Sequence, residues 1–511
     1  MSDARLTLRG LIACALVPLA LGLPGQARAD CAAIERALAG VAADVQCVAS
    51  PDLTTRNADT TPPDNSRPGL PANAFTPRTD AQAVSPDPPF RTPIDPARTF
   101  PGLQITGAMT DDVNARWVLR LPNDWNGRLV VGIPGGFRSE FMGDFIFSDL
   151  VVQLGYAYAS TNKGMLNFFF TAPAADPAAC RLSPRIAPTS ALFTHFYVDD
   201  PADTIHEWFV RTLQATDVAE MSIEAHYDRQ PERVYLFGIS NGGHVVRRML
   251  SEFPRRFDGG VDWEGVYWSP GGPNILVDLP LALRNWEPYV ASGFSRRSPA
   301  FQAMLDAGYP PDIFASPPTP GNTFSPVVGS HWETHANNYW DVTTCVFVRE
   351  LDPLYVMNQL DPRGGSDTQD YDYLARRTPF NLSPRIGRIS TDGDIFRPLL
   401  TLQGTMDALL PIKRHGRPFR DAVVAAGRAG LHRYYEIQNG NHIERYRQSC
   451  CNFMQLEFIQ AHAHRAFQLL VDWVERGTAP PPSQCVPRGG TLVADPGAAG
   501  RQERCAELLV E

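Results

Sequence analysis

The sequence predicts an α/β fold of the α/β-hydrolase type, a mostly parallel sheet with flanking helices that carries a large lid insertion. Three observations predict it. Short apolar stretches rich in strand formers alternate with longer helical patterns, an order that calls for a parallel sheet. One stretch, Val234 to Phe237, runs into Gly238-Ile239-Ser240-Asn241-Gly242, and a helical pattern follows through Val245-Val246 and Met249-Leu250. Strand, sharp Gly-x-Ser-x-Gly turn and helix together form the context of a nucleophile elbow. Further on, Asp407 and then His442 each follow a strand, and serine, acid, histidine is the chain order this fold uses.

At the N-terminus, Arg5 and Arg9 precede an apolar run from Leu11 to Leu23, and Ala27-Arg28-Ala29 offers a small-x-small cleavage site before Asp30. Residues 1–29 therefore read as a signal peptide cut after Ala29, which sends the chain to the periplasm or the medium. The run is too short for a membrane span, and Pro18 interrupts it. Removing it leaves Cys31, Cys47, Cys180, Cys345, Cys450, Cys451, Cys485 and Cys505, which in an exported chain read as disulfides. Cys31–Cys47 and Cys485–Cys505 are the local candidates. No Cys-x-x-Cys spacing suggests a zinc site. The formal net charge of −9 argues against a nucleic-acid or anionic-membrane partner. Oligomeric state is not legible.

A plain hydrolase core takes roughly 250 to 300 residues, and this chain has 511. The surplus divides as follows. Residues 30–100 are expected to form a loop-rich N-terminal segment, since 50–100 are rich in Pro, Asp, Thr and Asn, with strands beginning near Leu103. The core is expected over 101–269 and 396–478. Ala115 to Leu121 alternates as a half-buried strand does. Arg128 to Ile133 is continuously apolar, as suits a sheet covered on both faces, and ends at Pro134-Gly135-Gly136-Phe137. A helix is expected over 146–154, a strand over 156–160, a long helix over 204–226 and a strand over 259–268. From 270 to 395 the alternation stops among prolines and aromatics, which marks a lid insertion. It returns with a strand at 398–404, a helix at 415–428, a strand at 433–437 and a last helix over 453–477. A cysteine-bounded tail, 479–511, remains.

A serine nucleophile needs a base and an orienting acid. Asp407 lies in Gly404-Thr-Met-Asp407-Ala-Leu-Leu-Pro411, and His442 ends Gln438-Asn-Gly-Asn-His442. Loops at the carboxyl edge of a parallel sheet converge, so both are expected to reach Ser240. Asp262 and Glu264, in the strand after the elbow, are weaker candidates for the acid because they lack the Gly-x-x-Asp loop. The oxyanion hole is expected from the N–H of Asn241 and a second N–H from Gly136 or Phe137. His331-Trp-Glu-Thr-His335 lacks the His-Glu-x-x-His order of a zinc motif. His462 and His464 read as surface or packing residues. The acidic run from Asp361 to Asp372 lacks the spacing of a calcium-binding helix–loop–helix and reads as a solvated loop rather than a structural calcium site. No metal or cofactor is expected. The aromatics of the insertion read as its own core before they read as a substrate cleft.

Pro122-Asn-Asp-Trp-Asn-Gly127, Gly155-Tyr-Ala-Tyr-Ala-Ser-Thr-Asn-Lys-Gly164, Gly238-Ile-Ser-Asn-Gly-Gly243 and Gly259-Gly-Val-Asp-Trp-Glu-Gly265 resemble the tannase/feruloyl esterase superfamily, and within it most closely the 3-hydroxybutyrate oligomer hydrolases. Tyr434 to His442 is similar to the histidine strand of that group. The resemblance spans about residues 120 to 450 and leaves the insertion unaligned. Tannases and feruloyl esterases place a disulfide-bonded cysteine pair directly before the serine and directly after the histidine. Here those positions are Ile239 and Ile443. The resemblance therefore implies a serine esterase acting on short 3-hydroxyalkanoate oligoesters, with phenolic acid esters as the alternative substrate. The same departure counts against the lid calcium of the tannase branch. A serine peptidase and a catalytically inactive binding protein on the same fold are the remaining alternatives.

Overall fold

The computed structural model describes residues 24–63, 76–165, 169–171, 180–181, 191–193, 203–316, 329–356, 368–448 and 450–510. The apolar run of the expected signal segment and residues 361–367 of the acidic run lie outside the described residues. Ten strands form the main sheet: β1 (Ala42–Ser50), β2 (Gly102–Met109), β3 (Arg116–Pro122), β4 (Arg128–Ile133), β5 (Ala157–Thr161), β6 (Arg233–Ile239), β7 (Gly259–Trp263), β8 (Leu399–Gly404), β9 (His432–Ile437) and β10 (Gln484–Val486). Their order across the sheet is β1-β2-β3-β5-β4-β6-β7-β8-β9-β10. The pairs from β1 to β5 through β2 and β3 are antiparallel, and all pairs from β5 onward are parallel. This is the α/β-hydrolase arrangement.

The apolar strands follow from burial on both faces. Successive strand side chains point to opposite sides. Along β6, Val234 and Leu236 join one apolar cluster, while Tyr235, Phe237 and Ile239 join the other. Along β4, Leu129, Val131 and Ile133 go to the first cluster and Val130 to the second. Helix α1 (Pro24–Ala37) and the long α2 (Asp203–Tyr227) cover the first face, joined by α3 (Asn241–Glu252), which directly follows the elbow. Val245, Val246, Met249 and Leu250 of α3 lie at helical spacing and are fully buried there. The second face is covered by residues 142–153 and by the last helix, through Ala463, Ala466, Phe467 and Leu470.

Within 270–395 the described residues are mostly helical: α4 (Ile275–Ala291), α5 (Pro299–Asp306), α6 (His331–His335), α7 (Asp341–Leu351) and α8 (Leu382–Ile389). Their aromatics pack mainly on one another. Tyr289 meets Phe294, Phe301 and Trp332, and Trp340 meets Trp286 and Tyr309. Phe347 of α7 reaches Phe137, Trp208 and Trp268, which fastens the insertion to the first face of the core.

The structure corrects four boundaries. Strands begin at Ala42, not near Leu103, because β1 pairs with β2 and is tied to α1 by Cys31–Cys47. β7 stops at Trp263, because Glu264 turns to φ 52°. The last helix, α9, is Gln460–Arg476 rather than 453–477. Residues 453–459 are held elsewhere: Phe453 and Leu456 bury beside Met406, Ile443 and Tyr446, and the N–H groups of Glu457 and Ile459 go to the Asn439 carbonyl and the Glu444 carboxyl. The tail contains β10, which extends the sheet beside β9 and is bound through Cys485–Cys505. Cys180–Cys345 and Cys450–Cys451 complete the disulfides among the described residues. No described helix is long and apolar enough to cross a membrane.

Candidate active site

Ser240 links β6 to α3 at φ 57°, ψ −120°, a conformation that is strained for a side-chain-bearing residue. The turn is clamped through the backbone. Ser240 N–H donates to Trp263 O at 2.9 Å, and Ser240 O accepts from His244 N–H at 3.1 Å. The flanking glycines are required by contact. A Cβ on Gly238 would lie 2.3 Å from Gly242 O, and one on Gly242 would lie 2.0 Å from Ile133 O. Only bare backbone lets the helix start so close to β4.

The turn after β4 lies against this elbow. A Cβ on Gly135 would stand 3.1 Å from Ser240 Cβ, and Gly136 has φ 46°. Gly135, Gly136, Phe137, Ser240, Asn241 and His442 line one cavity of about 310 Å³. Two buried groups hold the turn. Lys163 Nζ donates to Pro134 O at 2.8 Å, and Asp80 accepts from Arg138 Nη1 at 2.9 Å and from Ser139 N–H at 2.7 Å. Burial lowers the Lys163 pKa to about 7, with Asp80 opposing. Neither residue stood out in the sequence as part of the site. The signal was a lysine inside the otherwise apolar and small-residue stretch 155–164.

Asp407 and His442 follow adjacent parallel strands, where Gly404 of β8 stands opposite Ile437 of β9. This register brings their loops together at the carboxyl edge. His442 Nδ1 is 2.8 Å from Asp407 Oδ2. The same oxygen accepts from Gln403 Nε2 at 3.2 Å, and Oδ1 accepts the N–H groups of Leu409 and Leu410 at 2.8 and 2.7 Å. Burial opposes the Asp407 anion, but the imidazole and these donors outweigh it, and its pKa lies below the ordinary carboxylate value. With Nδ1 donating to Asp407, Nε2 is left as the basic nitrogen.

The other sequence candidates are placed differently. Asp262 is fully buried and is used by Arg247 Nε at 2.7 Å and Thr401 Oγ1 at 2.9 Å. Glu264 is at the site itself, with Oε2 3.6 Å from His442 Nδ1. His331 and His335 are both buried. His331 Nε2 meets Asn441 Oδ1 at 2.7 Å, and His335 Nδ1 meets His331 O at 2.9 Å. Burial lowers both pKa values, that of His335 to about 4. The pair thus links the insertion to the residue before His442. Ile239 and Ile443 are buried walls of the cavity. Tyr339 of the insertion lines it as well.

Residues 380–502, which hold Asp407 and His442, match the family described as 3HB-oligomer hydrolase (3HBOH). Over that segment the chain is similar to the 3HB-oligomer hydrolases. A stretch of 109 residues is 34% identical to the D-(-)-3-hydroxybutyrate oligomer hydrolase of Paraburkholderia xenovorans (strain LB400). It covers 20% of this chain and 15% of the length of that relative. Among solved structures, the chain is similar to feruloyl esterase B from Aspergillus oryzae, at 13% identity over 89% of this chain and 91% of that one, with a TM-score of 0.49. It is also similar to the tannin acyl hydrolase from Aspergillus niger, at 13% identity over 79% of this chain and 87% of that one, with a TM-score of 0.43.

Proposed function

We propose that this chain is an exported serine esterase that hydrolyses short 3-hydroxyalkanoate oligoesters, 3-hydroxybutyrate oligomers foremost. The observation that carries the reading is the Asp407–His442 pair, whose histidine lines the same cavity as Ser240, which a strained elbow presents. His442 Nε2 takes the Ser240 hydroxyl proton as Oγ attacks the ester carbonyl carbon. The N–H of Asn241 and an N–H of the 136–137 turn receive the oxyanion. The alcohol leaves with the proton from His442, and Asp407 stabilises the imidazolium throughout. Water, deprotonated in turn by His442, then releases the acid and restores Ser240. The sequence of steps needs no cofactor.

The substrate class rests on the relationship of residues 380–502 and on Ile239 and Ile443 standing where the tannase branch has paired cysteines. Export rests on the N-terminal segment and on the disulfides, which persist in oxidising compartments. Hydrolysis of p-nitrophenyl butyrate by wild type and Ser240→Ala tests the mechanism, and equal rates would sink it. A comparison of 3-hydroxybutyrate dimer and trimer with methyl ferulate and methyl gallate tests the substrate. Faster turnover of the phenolic esters would reassign the chain to that class.

A further inference from the structure

A second acid reaches the histidine from the strand after the elbow. Glu264 follows β7 at φ 52° and is fully buried. Its N–H donates to Leu402 O at 2.8 Å, and its Oε1 accepts the Gly404 N–H at 3.0 Å. Main chain and side chain are thus both tied to β8, the strand that leads to Asp407. The other oxygen, Oε2, is buried with no hydrogen-bond partner among the described residues. It lies 3.6 Å from His442 Nδ1. One side-chain oxygen each of Glu264 and Asp407 and one ring nitrogen of His442 lie within 4.8 Å of one another. A buried, unpartnered carboxyl oxygen is unfavourable, and this one is held beside the nitrogen that orients the base.

We propose that Glu264 is a positioning residue of the triad, a second carboxyl that steadies Nδ1 of His442 beside Asp407 and supplies the anion when Asp407 is removed. The proposal rests on the serine-esterase reading of the site. Two carboxyls so close do not both ionise. Asp407 holds the charge, because it accepts from His442, Gln403, Leu409 and Leu410. Glu264 accepts from Gly404, and the charged groups facing it are Asp407, His442 and Glu444. Burial and then the Asp407 charge hold its carboxyl well above the ordinary range. A neutral Glu264 adds a dipole at Nδ1 without a second charge. Once Asp407 is gone the like-charge neighbour is gone too, and Glu264 ionises against the imidazolium.

The test is kcat/KM on p-nitrophenyl butyrate from about pH 6 to about pH 9 for wild type, Glu264→Gln, Asp407→Ala and the double variant. Glu264→Gln is expected to lose about fivefold, Asp407→Ala about 10²-fold and the double variant about 10⁴-fold. His442 must be neutral to act as base in both variants, so kcat/KM rises with pH in each, but the ratio of Asp407→Ala to the double variant is expected to rise as Glu264 ionises. Equal loss and equal pH profiles for Asp407→Ala and the double variant would overturn the proposal, leaving Glu264 as packing. Asp407→Asn, which keeps an acceptor for Leu409 and Leu410, is run with and without Glu264→Gln. That pair decides the question if the alanine variant does not fold. A Ser240→Ala enzyme as active as wild type would instead overturn the esterase reading, so the two failures are distinct.

Discussion

Nδ1 of His442 lies 2.8 Å from Oδ2 of Asp407, at the ends of two adjacent parallel strands. Asp407 keeps three other donors, from Gln403, Leu409 and Leu410, so loss of the imidazole does not leave the carboxylate bare. His442→Ala is therefore expected to lose esterase rate by about 10⁴-fold while remaining folded. Initial rates and a thermal unfolding curve on the same preparation check both halves. A folded variant with near-normal rates would remove His442 from the mechanism.

The elbow makes a sharper structural prediction. A Cβ on Gly242 would fall 2.0 Å from Ile133 O, which is backbone and cannot rotate away. Gly242→Ala must push α3 off β4 or distort Ser240. The expected destabilisation is about 3 kcal/mol or more, visible as a lowered melting temperature or loss of soluble protein. Gly427→Ala is a useful contrast, since its Cβ would meet nothing within 4 Å, although φ 73° makes it strained.

Much of this was legible in the sequence, for physical reasons that also explain the rest. Val234 to Phe237 reads as a strand because both of its faces are buried, and Gly238 and Gly242 read as required because the backbone passes so closely. Asp407 and His442 read as a pair because each ends a strand and their order suits the fold. β1 was missed because its side chains are only intermediate or exposed, and β10 because it is three residues long and begins on a glutamine, so neither shows a continuous apolar run. The start of the last helix was misplaced because 453–459 is apolar at helical spacing, yet its N–H groups bond to the histidine loop. Glu264 was ranked below Asp407 because a sequence shows which loop follows a strand, not which carboxyl ends up dry beside an imidazole.

Buried neutral histidines set an acid limit on stability. His244 Nε2 meets Ile389 O at 2.6 Å, and His432 Nε2 meets Thr401 Oγ1 at 2.9 Å. Burial first, then nearby arginines, lower each pKa from 6.5 to about 3, with the Ile389 carbonyl opposing for His244. The unfolded chain takes up protons below pH 6.5 that the folded chain refuses, so stability falls as pH drops from 6.5 towards 3. The slope is about 1.4 kcal/mol per pH unit for each histidine. Urea midpoints measured across this window are expected to fall steadily for wild type and less steeply for His432→Gln. Identical slopes would count against a neutral buried His432.

Cys180–Cys345 closes a loop of 165 residues and anchors α7, whose Val342, Thr343 and Phe347 line the cavity. Closing a long loop takes the most entropy from the unfolded chain. Replacing both cysteines by serine is expected to lower stability by about 2–5 kcal/mol. Because α7 forms a cavity wall, KM should rise with it. An unchanged unfolding midpoint in oxidising and reducing buffer would show that the bond contributes nothing.

Lys163 offers a way to disturb the proposed oxyanion turn without touching a group that would meet substrate. Its Nζ donates to Pro134 O, one residue before Gly135, and lies 5.6 Å from the Trp208 ring centre. With its pKa lowered to about 7 by burial, the amine is part neutral and part charged near neutral pH, and either form donates the bond. Methionine fits the same channel but leaves the Pro134 carbonyl without its donor. The turn then loses its fixed distance from the elbow, and an N–H aimed at the oxyanion matters more in the transition state than in the ground state. Lys163→Met is expected to lower kcat about tenfold with KM nearly unchanged. A rise in KM at constant kcat would instead mean that Lys163 shapes the binding cavity rather than the oxyanion turn.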